Sequence, residues 1–202
     1  LHIDYCVNPI KEFPINLKKL YLGDYEKPIK RFPSRLEILH LENHIIKIPE
    51  LPVTLTELDI GNYQFKINNI PPNLIKLIFG RYYNYKIDKL PSKLKYLDLG
   101  WKYNYKIKHF PETLTILHLG HYNRIIKKFP TELRELDLGI KYDKIINEFP
   151  KNLTYLNLRY YSLKIKEFPI SLTYLNVGNY YNYPIEFPIN LIKLNIYNYH
   201  TN

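Results

Sequence analysis

The sequence lacks methionine and alanine, and it has a single cysteine, Cys6, among 202 residues. Alanine is the strongest helix former and proline a strong helix breaker. A chain with no alanine and 15 prolines therefore has a composition that disfavours a helical bundle. One cysteine excludes an intramolecular disulfide framework and a cysteine-rich zinc site, and it is typical of a reducing, intracellular compartment. Because translation starts at methionine, we expect Leu1 to follow a processed terminus or to belong to a longer chain.

Long apolar runs are also missing, and glycine is scarce. No stretch of 18 apolar residues occurs, so the sequence predicts no membrane-spanning helix. The seven glycines form no phosphate-binding loop, and the four serines and one cysteine have no base–acid pair beside them. We therefore predict no enzymatic activity, no cofactor and no metal. A hydrophobic content of 46% is nevertheless too high for a disordered chain.

An internal repeat accounts for most of the sequence. The phrase F-P-x-x-L-x-x-L-x-L-G, in which Leu or Ile sometimes replaces Phe, recurs every 19 or 20 residues. Its ten copies begin at Phe13, Phe32, Leu51, Ile70, Leu90, Phe110, Phe129, Phe149, Phe168 and Phe187. All seven glycines occupy its eleventh position. We predict one solenoid over residues 1–202, made of ten repeats and a partial N-terminal repeat at residues 1–4.

Each repeat predicts one short strand. In the first complete copy, alternation places Leu20 and Leu22 inward and Lys19 and Tyr21 outward. Nineteen residues leave no room for a return helix, and one repeat buries too little apolar surface to fold alone. The predicted fold is therefore a β-rich, leucine-rich-repeat-like solenoid with one parallel sheet on its concave face. Extended, polyproline-like or short 3-10 segments return the chain, with little or no α-helix.

A second sequence motif follows the strand, and together with the first motif it resembles a known repeat family. Tyr-Asn-Tyr-Lys-Ile occupies residues 83–87 and 103–107, and Tyr-Asn-Tyr-Pro-Ile occupies residues 181–185. The tyrosine column is either interior packing, which we favour, or a stacking platform for nucleic acid. Together the two phrases resemble the FNIP repeat, a short relative of the leucine-rich repeat found in social amoebae and in amoeba-infecting giant DNA viruses. They are also similar to the short L-P-x-x-L repeats of bacterial effector proteins.

The resemblance implies a recognition scaffold. An F-box often precedes such arrays, so it also implies the substrate-binding arm of a ubiquitin ligase, although residues 1–202 contain no F-box. Leucine-rich solenoids bind partners on the sheet face. The residues that we predict to bind a protein partner there are Arg81, Tyr96, Asp98, Trp101, His118, His121, Glu135 and Asp137.

The centre of that face allows three interpretations. His118 lies between Asp98 and Asp137 on successive strands, about 5 Å from each. The three groups could bind a metal or perform acid–base chemistry, or they could form a hydrogen-bonded polar ladder. The third interpretation, a protein-recognition patch with Trp101 and Arg81 among its anchors, is the one we favour. We also predict that Asn157, Asn176 and Asn195 form an amide ladder.

Two alternative functions remain. The net charge is +10, but the predicted sheet face carries more acids than bases, so the excess lysines lie on the return side. They support nucleic-acid binding through a convex basic patch only as a distant third possibility. The second possibility is a structural protein that self-associates end to end, because neither end of the array shows a capping sequence. If the chain is viral, we expect it in the host cytoplasm.

Overall fold

The computed structural model describes residues 1–4, 6 and 8–197. Ten strands form one parallel sheet in sequence order, and each strand pairs only with its neighbours in the sequence. The strands are β1 (Lys19–Tyr21), β2 (Ile38–His40), β3 (Glu57–Asp59), β4 (Lys76–Ile78), β5 (Tyr96–Asp98), β6 (Ile116–His118), β7 (Glu135–Asp137), β8 (Tyr155–Leu158), β9 (Tyr174–Val177) and β10 (Lys193–Ile196). The predicted fold class is confirmed, and the described residues contain neither α-helix nor 3-10 helix.

The register brings equivalent positions of successive repeats side by side. Leu97 of β5 pairs with Leu77 on one side and Leu117 on the other, and all three are fully buried. Before β1, His2 forms a parallel bridge to Tyr21. Every side chain of the repeat therefore belongs to a row that runs along the solenoid. Leucine rows fill the core, and the seventh and ninth positions form the outward sheet face.

The tyrosine column is part of the core. Tyr103 and Tyr122 are completely buried, with stacked rings 6.5 Å apart. The Tyr122 hydroxyl accepts a hydrogen bond from the backbone N–H of Ile107 in the preceding repeat, at 3.2 Å. This bond satisfies a backbone donor that the solenoid buries. The rings are therefore interior packing and not a stacking platform for bases.

The asparagine after the tyrosine holds neighbouring repeats together. Asn104 donates its backbone N–H to the side-chain oxygen of Asn84 at 3.2 Å. The Asn104 side-chain oxygen accepts the backbone N–H of Asn123 at 2.9 Å. This side-chain-to-backbone ladder is the structural reason for the Tyr-Asn phrase.

The glycine column is required by contact between backbones. Gly100 has a φ of +61°, and an added Cβ would lie 1.8 Å from the carbonyl oxygen of Gly80. The same carbonyl accepts the backbone N–H of Trp101 at 3.0 Å. A side chain at position 100 would therefore break the bond that joins two repeats. Glu42 stands in this column without being glycine and adopts a φ of +40°.

Candidate functional site

His118 is the centre of a polar cluster on the sheet face. Its Nε2 donates to Glu135 Oε1 at 2.8 Å, and its Nδ1 lies 3.7 Å from Asp98 Oδ2 and 3.4 Å from the Tyr96 hydroxyl. Burial lowers the pKa of His118. The hydrogen bonds to Asp98 and Glu135, with the charges of Asp98 and Asp137, outweigh burial and raise that pKa to about 9. The ring is therefore an imidazolium ion near neutral pH, bound to carboxylates.

The aspartates of this row hold the glycine turns. Asp98 Oδ1 accepts the backbone N–H of Gly100 at 2.7 Å, and Asp137 Oδ1 accepts that of Gly139 at 2.7 Å. The other Asp137 oxygen accepts the side-chain amide of Asn157 at 2.9 Å. Asp137 lies beside His118 in the sheet register, as predicted, but its oxygens bind its own turn and the next strand. The carboxylate that is hydrogen-bonded to His118 is therefore that of Glu135.

A similar cluster lies nearer the N-terminus. His40 Nε2 lies 2.8 Å from Glu57 Oε1, and Lys76 Nζ lies 3.0 Å from the same oxygen. Burial raises the pKa of Glu57, but the hydrogen bonds from His40 and Lys76 outweigh it and lower that pKa overall. The recurrence of a His–Glu pair on two strand pairs indicates a general way of satisfying polar groups on this sheet. It favours the polar-ladder interpretation of the His118 cluster.

The amide ladder forms in a different place from the one predicted. Asn157 donates to Asp137, and Asn195 donates to the hydroxyl of Tyr174 at 2.6 Å, so the predicted asparagines do not bond to one another. A ladder forms instead at the twelfth position of the first repeats. There Asn43 donates to Asp24 at 2.7 Å, and Asn62 donates to Asn43 at 2.5 Å.

The twelfth position carries no asparagine in the next three repeats. It is Arg81 in the fourth repeat, Trp101 in the fifth and His121 in the sixth. The guanidinium carbon of Arg81 lies 5.7 Å from the centre of the Trp101 ring, and the Trp101 and His121 rings are 5.1 Å apart. The Trp101 side chain is 55% exposed, which is unusual for the largest apolar residue. The structure therefore brings together three of the predicted binding residues along one edge of the sheet face.

An extra residue widens this edge. Between Gly100 and Tyr103 the chain has two residues, whereas between Gly120 and Tyr122 it has only one. The three repeats of 20 residues all carry their additional residue at this junction. The additional residues are Tyr82, Lys102 and Lys141. We did not predict them as site residues, although the change in repeat length marks them in the sequence.

We call the six residues Arg81, Tyr82, Trp101, Lys102, His121 and Lys141 the rim platform. Lys102 Nζ lies 5.1 Å from the centre of the Tyr82 ring, and Arg81 lies 5.6 Å from it. Burial, and secondarily the charge of Lys141, lowers the pKa of His121. The platform therefore alternates cations with flat rings.

Two surface depressions lie beside the His118 cluster and the rim platform. A groove of about 900 Å³ runs between the ninth-position row and the edge, with Asp98, His118 and Asp137 on one side and Arg81 and Trp101 on the other. A smaller depression of about 350 Å³ lies beyond Trp101 and is lined by platform residues together with Asn104 and Asn123. Tyr96 and Glu135 lie on the seventh-position row, beside the His118 cluster.

Comparison with known protein families agrees with this geometry. The family model for the FNIP repeat matches residues 43–82 and 62–102, which contain three of the ten strands, β3 to β5, and the N-terminal part of the platform. These residues are similar to FNIP repeats, and the ten-stranded solenoid that contains them is leucine-rich-repeat-like.

Solved structures resemble this chain over nearly its whole length. YopM from Yersinia enterocolitica WA-314 is 20% identical with a TM-score of 0.75, and the match covers 93% of this chain and 48% of YopM. CroV588, a giant-virus protein described as a circular leucine-rich-repeat structure, is 25% identical with a TM-score of 0.60, covering 93% and 41%. YopM from Yersinia pestis, described as a leucine-rich effector protein, is 22% identical with a TM-score of 0.64, covering 91% and 61%. The chain thus spans about half the length of these structures.

The remaining searches return negative findings. A comparison of the chain with curated proteins finds no significant match. Within residues 1–4, 6 and 8–197, no three His, Cys, Asp or Glu side chains are grouped in a way that could hold a metal ion. In the same part of the chain, no helix has the length and apolarity needed to cross a membrane.

Proposed function

We propose that this chain is a non-enzymatic scaffold that binds a protein partner on its sheet face. Repeat solenoids of this kind are typical protein–protein interaction scaffolds. The observation that carries the proposal is the exposed Trp101 held beside Arg81 over the groove. Tryptophan, tyrosine and arginine supply most of the binding energy at protein interfaces. The partner-binding residues in this proposal are those expected from the sequence, Arg81, Tyr96, Asp98, Trp101, His118, His121, Glu135 and Asp137.

The rigidity of the sheet supports this function. Asp98 and His118 are fixed by hydrogen bonds to their own turn and to neighbouring strands. Side chains on such a frame lose little conformational freedom when a partner binds. A leucine-rich solenoid therefore presents the exposed Trp101 in one geometry, which favours recognition over chemistry.

Affinity capture with matched variants tests this proposal. Trp101→Ala removes the anchor, and Asp98→Asn removes a charge while keeping the oxygen that accepts the Gly100 N–H. The double variant is expected to lose the partner that the unmodified chain captures. Lys106→Ala with Lys108→Ala removes two exposed charges from the return side and should leave capture unchanged. Retention of the same partner by the Trp101 and Asp98 variant would contradict the proposal.

A more specific version makes the scaffold the substrate-recognition arm of an F-box ubiquitin ligase inside the cell, in the host cytoplasm if the chain is viral. The FNIP-type repeats and the lone Cys6 thiol support this version. The full-length protein should then co-purify with ubiquitin-ligase subunits, and the captured partner should be ubiquitinated only when Trp101 is intact. Ubiquitination that is independent of Trp101 would remove this version while leaving partner binding standing.

A second candidate function is self-association through β10. Leu194 on this strand is 37% exposed, whereas the equivalent Leu175 on β9 is fully buried, and Ile192 beside it is 85% exposed. Among the described residues β10 pairs on one side only, and a strand edge with exposed apolar side chains is a site for pairing with another chain. Sedimentation velocity of residues 1–202 should show concentration-dependent dimers that Ile192→Lys abolishes and Ile125→Lys, an exposed site in mid-array, does not. A monomer at every concentration would exclude this candidate.

A further inference from the structure

The rim platform has more positive charge than its surroundings neutralise. Arg81, Lys102 and Lys141 form no ion pair with any residue in the described part of the chain, whereas Lys76 and Lys144, for example, each lie within 4 Å of a carboxylate. The Nε2 atom of His121 is buried and has no hydrogen-bond partner among the described residues. The three cations of the platform, Arg81, Lys102 and Lys141, are therefore hydrogen-bond donors that no carboxylate in the described part of the chain neutralises.

The flat rings give this charge a shape. The Trp101 ring lies between Arg81 and His121, and the Tyr82 ring lies between Arg81 and Lys102. Cations held over rings are positioned without a carboxylate partner and stay available for an anion. The depression beyond Trp101 is lined by Lys102, His121 and Lys141, and it is large enough for one acidic side chain.

The size of the platform limits what it can bind. From Arg81 to Lys141 it spans three strand spacings, or about 15 Å. An extended peptide advances about 3.3 Å per residue, so four or five residues cover this distance. The groove beside the platform contains the carboxylates of Asp98 and Asp137. These would repel the continuous charge of a nucleic-acid backbone but tolerate a peptide whose few carboxylates face the platform.

We propose that the rim platform binds a short, extended, acidic segment of the partner protein, with its carboxylates on Lys102, Lys141 and Arg81 and its backbone against Trp101. This proposal rests on the proposed scaffold function and adds the chemistry of the partner. Charge-assisted hydrogen bonds from lysine and arginine supply the specificity, and the exposed ring supplies apolar contact.

Trp101 is the single tryptophan of the chain and reports directly on the platform. The probe is a fluorescein-labelled peptide of five residues in which three glutamates alternate with glycine, so that all carboxylates of the extended chain face the same side. The same peptide with glutamine in place of each glutamate is its control. Binding is measured by peptide anisotropy, and by Trp101 fluorescence with the unlabelled peptide. The glutamate peptide should bind saturably and the glutamine peptide should not. Raising the salt concentration from about 0.05 to 0.5 M should weaken binding roughly tenfold or more, because exposed charges are screened.

Matched variants locate the site. Lys102→Ala with Lys141→Ala should weaken glutamate-peptide binding roughly tenfold or more, as expected when two charge-assisted contacts are lost. Lys106→Ala with Lys108→Ala removes the same charge from the return side and should change affinity less than about twofold. Lys102→Glu with Lys141→Glu should bind a five-lysine peptide instead. An equal loss in both alanine pairs, or no binding of the glutamate peptide, would overturn the proposal.

Further outcomes distinguish this proposal from nucleic-acid binding and from the scaffold function on which it rests. Tighter binding of a 12-nucleotide oligothymidine than of the glutamate peptide, with the same dependence on Lys102 and Lys141, would overturn it in favour of a nucleic-acid site. Partner capture that needs Trp101 but is unaffected by Lys102→Ala with Lys141→Ala would overturn it while the scaffold function stands. Capture that is lost in both sets of variants supports both.

Discussion

At the scale of single residues, the repeat depends on a position with no side chain. Gly100 combines a left-handed backbone with a carbonyl oxygen 1.8 Å from where a Cβ would stand. An added methyl group must either displace Gly80 or lengthen the bond between Trp101 and Gly80. The glycine of the repeat is therefore a requirement of stacking, and the turn geometry alone does not explain it.

Gly100→Ala should consequently lower the free energy of unfolding by roughly 2–4 kcal/mol, since it adds backbone strain to a steric clash. Urea denaturation followed by circular dichroism measures the change. Lys93→Ala, at an exposed position of the same repeat, should alter stability by less than about 0.5 kcal/mol. Equal midpoints for Gly100→Ala and the unmodified chain would show that the repeats can move apart without cost.

His118 makes stability depend on pH. Its pKa of about 9 in the folded chain lies above the ordinary value of 6.5, so the fold binds the proton more tightly than the unfolded chain does. The stabilisation is complete below pH 6.5 and is lost as the pH rises through 9. With 26% of the side chain exposed, we expect it to be on the order of 1–2 kcal/mol after solvent screening.

The test compares the unmodified chain with His118→Gln at pH 6 and pH 9.5. The difference between their free energies of unfolding should shrink at the higher pH. His44, whose pKa is lowered by burial, does not interfere, because both chains carry it and its contribution cancels from the difference. A difference that is the same at both pH values would show that the fold does not bind the His118 proton more tightly than the unfolded chain does.

At the scale of the repeat, its length varies without disturbing its register. The strands of 19- and 20-residue repeats pair residue for residue, as Leu97 with Leu117 and Leu117 with Leu136. The additional residue lies between the glycine and the tyrosine, outside the strand and outside the core. This junction is therefore the place where the solenoid accommodates an insertion.

Deletion of Lys102 should accordingly convert a 20-residue repeat into a 19-residue repeat that still folds. The stability loss should stay near 1 kcal/mol, because Gly100-Trp101-Tyr103 would match Gly120-His121-Tyr122. Deletion of Tyr96 is the control, since a one-residue shift in a strand turns core leucines outward and should unfold the chain. Thermal melts measure both, and a large loss on deletion of Lys102 would mean that the wider junction is structural.

The sequence predicted the strands better than it predicted the site. The leucine and tyrosine columns recur in nearly every repeat and the glycine column in seven of the ten, and each copy supports the others, so the fold class followed from periodicity. Contacts between single side chains have no such repetition. Glu135 rather than Asp137 is hydrogen-bonded to His118, because the two Asp137 oxygens accept hydrogen bonds from Gly139 and Asn157. The spacing of residues in the sequence does not predict which of these bonds forms. Lys102 was not predicted because it lies in the junction after the strand, at a position that most repeats lack, so no regular column includes it.

At the scale of the whole molecule, stability is distributed along one dimension. Among the described residues, each strand contacts only the strands before and after it, so no strand contact joins the two ends of the array. Interior repeats have two neighbours, whereas β10 has one described neighbour and exposes Ile192 and Leu194.

Hydrogen exchange followed by mass spectrometry should therefore show the slowest exchange in β4–β8 and progressively faster exchange toward β10. Measurement at a concentration where the protein is monomeric avoids protection by association. Uniform protection from β4 to β10 would instead indicate a single all-or-none unit. Gly100→Ala should accelerate exchange on both sides of β5, because it weakens the contacts of that strand with its neighbours.

The extra residue at the glycine–tyrosine junction also has a consequence for how such proteins diversify. Most changes of length in a stacked fold would propagate a misfit through all later copies, but a change here stays local. Insertions and substitutions can thus accumulate at the glycine–tyrosine junction while the stacked strands and the core remain unchanged. An engineer could exploit the same freedom by grafting short variable sequences between position 100 and position 103, which would give a library of binders on an unaltered frame.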